Sequence, residues 1–156
     1  MTRSHTQSCS RRSLIAGGLT ALLVPSRAVA VNPDVTVWKT PTCGCCGAWV
    51  AHMRAAGFSL TVNDVEQDDL EEVKRRLAVP QNLRSCHTAS VAGYVVEGHV
   101  PATDIELMIS YSPKIHGLAV PGMPLGSPGM EQGDEKDAFD TIAFDAMGAQ
   151  QIFARH

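Results

Sequence analysis

The chain has 156 residues, of which 44% are hydrophobic, 19% charged and 5% aromatic. This length suits one globular domain with its own core, and leaves little room for a second. No stretch approaches the roughly 20 consecutive apolar residues of a membrane-spanning helix, which argues against an integral membrane protein.

The first thirty residues have the order of a secretory signal peptide. Arg11 and Arg12 precede an apolar run at residues 14–24, and small residues follow at 28–30. The paired arginines favour a twin-arginine signal; the alternative is an ordinary signal that contains two adjacent arginines. Both would export the protein. We therefore expect residues 1–30 to be cleaved and residues 31–156 to form a single domain in the bacterial periplasm.

Cleavage would leave an acidic mature chain. It removes 4 of the 13 basic residues and none of the 16 acidic ones, so the formal net charge becomes 9 minus 16, or −7. An acidic surface repels the phosphate backbone, which argues against nucleic acid as a partner. It does not repel metal cations.

The mature chain begins with alternating strand and helix patterns. Residues 35–39 predict a strand, and the apolar spacing of residues 48–56 predicts a helix that ends near Gly57. A second strand is predicted at residues 58–65. A second helix is predicted at residues 68–77, with acidic residues first and basic residues last.

A hairpin and a third helix follow. Residues 88–91 and 94–97 predict two strands joined by a tight turn, and residues 103–111 predict a helix with Thr103 as its cap. The order βαβαββα predicts an α/β, thioredoxin-like domain. The proline and glycine content of residues 117–133 predicts a loop or a loose tail. Residues 140–144 predict a short extra strand. The C-terminal end of the chain carries no clear signal.

A cysteine cluster is the main functional signal. Cys43 and Cys46 form a C-x-x-C pair with a third thiol, Cys45, between them, at the predicted start of the first helix. The helix dipole favours a thiolate there, and a thiolate both attacks disulfides and binds soft metals. In a thioredoxin-like arrangement the loop entering the hairpin passes beside this turn. That loop carries Cys86 and His87, with His87 where many such proteins have a cis-proline.

Several interpretations of the four thiols remain open. They include buried free cysteines, two structural disulfides, and a structural zinc site, whose ligands normally come from two separated knuckles. Soft thiolates outside the cytoplasm favour Cu(I), with more than one ion if thiolates bridge. The predicted metal ligands are Cys43, Cys45, Cys46 and Cys86, with Met123 and His87 as weaker candidates.

Other sulfur and imidazole groups are expected to have plainer roles. Met130 is interpreted as a residue covering apolar surface, and Trp49 as core packing on the first helix that also shields the site. His99 and His116 are expected to be solvated, and His52 to lie on the surface.

Four separated motifs resemble the family of domain of unknown function 411, the CopG-like copper-resistance proteins. They are residues 40–47 with Trp49, residues 83–88, residues 95–101, and residues 117–130. The resemblance covers residues 35–144. It implies a periplasmic, thioredoxin-like protein that binds copper through the C-x-C-C cysteines and the cysteine of the Cys-His pair, here Cys86.

The sequence therefore leads to a copper-binding protein of copper resistance, with a redox enzyme as the alternative. In the enzyme, Cys43 would attack a disulfide and Cys46 would resolve the intermediate, with or without interconversion of Cu(I) and Cu(II). A third hypothesis is a module that docks on another periplasmic copper protein through residues 117–133.

Overall fold

The computed structural model describes residues 1–2 and 32–156. The predicted signal peptide, with Cys9, therefore lies outside the described residues apart from its first two. The elements are β1 (Val35–Lys39), α1 (Gly44–Ala55), β2 (Leu60–Asp64), α2 (Gln67–Arg76), a 3-10 turn at Gln81–Leu83, β3 (His87–Val91), β4 (Tyr94–Gly98), α3 (Ala102–Tyr111), β5 (Gly117–Val120), β6 (Asp140–Phe144) and β7 (Gln150–Arg155). None of the helices in this described part has the length and apolarity that a bilayer crossing demands.

All seven strands form one mixed sheet in the order β2-β1-β3-β4-β5-β6-β7. The pairs β1–β2 and β4–β5 are parallel, and the other four pairs are antiparallel. The predicted α/β class is confirmed. The sheet is larger than a thioredoxin-like domain requires, because β5, β6 and β7 extend it beyond β4.

Each face of the sheet is covered by different helices. Since side chains alternate between the faces of a strand, Val37, Ala89, Val96 and Leu118 share one face and pack with residues of α1 and α3. Val95, Ala119 and Phe144 point to the opposite face and pack with Val79 and Leu83, which follow α2. The cysteine-bearing start of α1 lies on the first face, beyond the end of β1.

The β3–β4 hairpin sets the geometry that matters for the site. Its two turn residues, Ala92 and Gly93, have φ angles of 50° and 84°, the left-handed conformation of a type I′ turn. The resulting register pairs Val91 with Tyr94 and Thr88 with Glu97. Continued two residues further, this register places Cys86 opposite His99.

Two predictions about the second half of the chain were wrong. Residues 117–120 form β5 and not a loop. This strand was missed because all of its residues are buried, so the alternation that marks a half-exposed strand is absent from the sequence. Residues 150–155, for which no element was predicted from the sequence, form β7, an edge strand with mostly exposed side chains. Thr103 does not cap α3, whose first residue follows Pro101 and which has no side-chain cap. The predicted extra strand at residues 140–144 is present as β6.

Candidate functional site: a cysteine and histidine cluster

The start of α1 holds three cysteines in one turn. Cys43 is the N-terminal cap of the helix, and its Sγ accepts a hydrogen bond from the backbone N–H of Cys46 over 3.4 Å. Cys43 and Cys46 are joined by a disulfide, while Cys45 is a free thiol. Cys46 is buried and Cys43 is half-buried, so the first cysteine of the pair is the more accessible one.

The fourth thiol, Cys86, lies directly before β3 and meets this turn. Its Sγ is 3.9 Å from the Sγ of Cys45, which is itself 3.6 Å from the Sγ of Cys43. The sulfur atoms of Cys43, Cys45, Cys46 and Cys86 all lie within 4.8 Å of one another. The structure thus brings together all four cysteines that the sequence singled out in the mature chain.

His99 belongs to this cluster, and the expectation that it would be solvated is wrong. Its side chain is fully buried, with Nε2 3.0 Å from the Sγ of Cys86 and Nδ1 2.8 Å from the carbonyl oxygen of Pro128. Because a carbonyl only accepts, Nδ1 must carry the proton and Nε2 has its lone pair directed at the thiol. The hairpin register, which places residue 99 opposite residue 86, was the sequence signal that could have revealed it.

His87 lies behind the thiols in a buried aromatic group. Its ring centroid is 4.5 Å from that of Trp49 and 5.1 Å from that of His99. Nδ1 lies 3.5 Å from the Sγ of Cys86, and Nε2 has no hydrogen-bond partner among the described residues. Trp49 is buried as expected, and its Nε1–H donates to the carbonyl oxygen of Val100 over 2.9 Å. Cys86, His87 and His99 form a second set of donors within 4.8 Å.

Burial favours the uncharged forms of Cys86, His87 and His99. Burial away from solvent is the main cause that raises the pKa of the Cys86 thiol to about 12. The charge and hydrogen bond of the neighbouring Cys45 also contribute to this rise in pKa. Burial also lowers the pKa of His99, and it lowers that of His87 well below the ordinary value, with His99 adding to the effect. In the metal-free protein at neutral pH, Cys86 is therefore a thiol that donates to a neutral His99. A thiophilic metal would displace that proton.

The rest of the proline- and glycine-rich stretch, residues 121–133, packs against the site. We call it the cover segment. A Cβ atom at Gly129 would lie 2.7 Å from the carbonyl oxygen of Cys45 and 2.7 Å from the backbone nitrogen of Trp49, so this glycine is in direct contact with the first turn of α1. Pro128 accepts the hydrogen bond from His99. Of the two interpretations of this part, the loop is correct and the loose tail is wrong.

The two methionines of the cover segment differ in exposure. Met123 is 42% exposed and sits in the left-handed region at φ 50°, whereas Met130 is half-buried and its N–H donates to the carbonyl oxygen of Ser127. The role of Met123 as a copper ligand stays a prediction.

Two further histidines have structural roles that the sequence did not reveal. His52 is half-buried, and its Nε2 accepts the backbone N–H of Ala102, the first residue of α3, over 3.1 Å. Burial lowers the pKa of His52, which keeps it neutral and able to accept. His116 is also half-buried, and its Nε2 donates to the carbonyl oxygen of Leu77 over 2.8 Å.

The arrangement defines a class: an α/β protein in which one helix start and one hairpin carry a cluster of soft sulfur donors flanked by neutral imidazoles. The family described as protein of unknown function DUF411 matches residues 83–130. Two solved structures, titled "Copper resistance protein copG- Form 1" and "Copper resistance protein copG- Form 2", are 42% and 43% identical, with TM-scores of 0.75 and 0.74. Each match covers 80% of this chain and 98% of the other. No curated protein matches. The chain belongs to the DUF411 copper-resistance family, as its motifs predicted.

Proposed function

We propose that this chain is an exported copper-binding protein of copper resistance that holds Cu(I) through Cys43, Cys45, Cys46 and Cys86. The observation that carries the proposal is the convergence of the four sulfur atoms within 4.8 Å. Thiolates are soft ligands that select Cu(I), and four of them so close together are suited to bridging more than one ion. The titles of the two structural relatives support copper over zinc.

Copper binding by all four sulfurs requires the reduced form of the protein. In the disulfide form, Cys45 and Cys86 are the free thiols of the described residues. An external dithiol would reduce the Cys43–Cys46 disulfide to two thiols, giving up two electrons and two protons and becoming a disulfide itself. This exchange would complete the donor set. His99 is placed to receive the Cys86 proton or to offer Nε2 to the metal, and His87 lies next to both. We also propose Met123 as a weaker, additional copper ligand through its thioether sulfur.

The proposed setting is the periplasm. Residues 1–30 would act as a twin-arginine signal, and residues 31–156 would form a single thioredoxin-like domain with a C-terminal extension. The strand order β2-β1-β3-β4, with a parallel first pair and two antiparallel pairs after it, supports that assignment. Another periplasmic copper protein is the proposed partner. Fractionation of cells that express the full chain tests export, and Arg11→Lys/Arg12→Lys should retain the protein in the cytoplasm.

Anaerobic titration tests copper binding. The reduced protein should take up at least one Cu(I) per chain in competition with a chromogenic chelator. Cys45→Ser and Cys86→Ser should each weaken binding by at least tenfold, because each removes a ligand. His116→Gln is the control, since His116 lies in the mature chain, outside the cysteine cluster, and bonds to the carbonyl oxygen of Leu77. Unchanged affinity in both site variants would refute the proposal.

A thiol oxidoreductase is the second candidate, favoured by the disulfide at the start of α1 with its accessible Cys43 and buried Cys46. Reduced Cys43 would attack a substrate disulfide, and Cys46 would then displace the mixed disulfide. With copper, two thiols would reduce two Cu(II) to two Cu(I) and release two protons as the Cys43–Cys46 bond forms. A measured reduction potential and turnover of a disulfide substrate distinguish this function. Cys45→Ser should keep turnover while it loses copper if the two activities are separate.

A further inference from the structure

We propose that a buried ion pair outside the cysteine cluster, between Lys74 of α2 and Glu97 of β4, fixes the position of Cys86 and thereby prepares the thiol cluster for metal. This inference rests on the proposed function for its copper readout. Both side chains are 0% exposed, and Lys74 Nζ lies 2.6 Å from Glu97 Oε1. They lie on the face of the sheet opposite α1 and its cysteines.

Glu97 holds both ends of the stretch that carries Cys86. Its Oε1 accepts the backbone N–H of Ser85 over 2.6 Å, and its Oε2 accepts the hydroxyl of Thr88 over 2.6 Å. Lys74 Nζ also donates to Thr88 Oγ1 over 2.9 Å. Cys86 and His87 lie between these two anchored residues. One carboxylate and one ammonium thus join α2, β3, β4 and the loop that precedes β3.

Stability alone is a weak reason for such a pair. Removing two charges from water offsets most of their attraction, and an apolar pair of similar volume is often as stable or more stable. What an apolar pair lacks is an acceptor for the Ser85 N–H and the Thr88 hydroxyl. These two hydrogen bonds define the path of the chain beside Cys86, so the specific contribution of the pair is geometric.

Cys86 is the member of the cysteine cluster that needs to be positioned. The other three cysteines share a single turn of α1, whereas Cys86 comes from a different element, and its Sγ lies 3.9 Å from that of Cys45. A small movement of the loop would therefore separate Cys86 from the other three without disturbing α1. We assign Lys74 and Glu97 as positioning residues, which act through Cys86 and do not touch the metal.

Three variants separate positioning from stability. Glu97→Gln and Lys74→Met each leave one buried charge without its partner, and both should lower the urea midpoint. The double variant Lys74→Met/Glu97→Leu removes both charges and should regain stability over either single one. The matched control is Glu72→Gln/Arg75→Gln, which removes an exposed ion pair from the same helix.

Thiol placement can be measured without copper. Phenylarsine oxide bridges two neighbouring thiols: its arsenic–oxygen bond is replaced by two arsenic–sulfur bonds, and the oxygen leaves as water with the two thiol protons. With the Cys43–Cys46 disulfide intact, the adduct should join Cys45 and Cys86. Tryptic peptides 40–54 and 85–114, which end at Arg54 and Lys114, locate it by mass spectrometry.

The adduct rate and Cu(I) affinity of the double variant distinguish a positioning role from a purely stabilising one. We expect its adduct to form about tenfold more slowly and its Cu(I) affinity to fall about 10- to 100-fold despite regained stability, while the control matches wild type. Adduct rates equal to wild type in the double variant would overturn the inference and leave the ion pair a structural feature. If wild type binds no Cu(I) but the variants still slow adduct formation, the proposed function fails and the positioning role stands. Should the double variant not fold, Thr88→Val, which removes the hydroxyl held by Glu97 and Lys74 but keeps both charges, gives the same decision from its adduct rate.

Discussion

Gly129→Ala tests whether the cover segment is held against the start of α1. The glycine has a φ of 88°, and an added Cβ would lie 2.7 Å from both the Cys45 carbonyl oxygen and the Trp49 nitrogen. Both contacts are with backbone atoms of α1, which cannot rotate away. The substitution must therefore push the segment off the helix or distort its first turn.

The cost has two separable parts. The left-handed conformation alone costs a residue with a Cβ about 1–2 kcal/mol, and forcing an extra methyl into a packed contact costs about 1–3 kcal/mol more. Gly148→Ala is the matched control, because Gly148 has nearly the same φ, 87°, with no atom within 4 Å of the added Cβ. Gly148→Ala should therefore lose only the free energy associated with the left-handed conformation.

Urea denaturation of both variants gives the comparison. Gly129→Ala should be less stable than Gly148→Ala by about 1–3 kcal/mol. It should also bind Cu(I) about tenfold more weakly, because Pro128, the neighbour of Gly129, would no longer hold His99 in its tautomer and orientation. Equal loss of stability in the two variants would refute the reasoning and mean that the segment yields freely to the methyl group.

His99→Ala should weaken Cu(I) binding about 10- to 100-fold in the competition titration, because Cys86 loses its buried partner. Stability should be complete above pH 6.5 and decline as pH falls below it, because burial lowers the pKa of His52 in the folded state and the unfolded chain then binds the proton more readily. His52→Gln, which still accepts the N–H of Ala102, should reduce this decline in urea midpoints measured from pH 7.5 to 5. Deleting residues 150–156 removes β7 and the His156 hydrogen bond to a buried carboxylate, and should cost about 1–3 kcal/mol or more.

The control for His99→Ala is His116→Gln, which changes a histidine outside the cysteine cluster and should leave Cu(I) affinity at the wild-type level. A pH profile of His52→Gln that superimposes on that of wild type would show that other groups, His87 and His99 among them, account for the acid loss. An unchanged urea midpoint after deletion would show that β7 adds nothing to the sheet.

The sequence by itself determined the local chemistry of this protein. The C-x-x-C pair with its extra thiol, the helix that follows it and the tight turn at Ala92-Gly93 are encoded within a few residues each, so propensity and spacing predict them. The family was also recognisable, because four motifs occur in the right order. The first two strands, the hairpin and the three described helices were predicted with only small errors at their ends.

Only the tertiary structure decided which distant groups meet. β5 could not be predicted from its pattern because both of its faces are buried. β7 could not be predicted because its apolar residues, 152–154, are consecutive and do not alternate with polar ones. His99 has an ordinary sequence context, and it reaches Cys86 only because the two strands of the hairpin run antiparallel. Lys74 and Glu97 resemble surface charges until α2 packs over β4 and removes both from water. The physical reason is common to all of them: burial and contact depend on packing between elements that the chain separates by many residues.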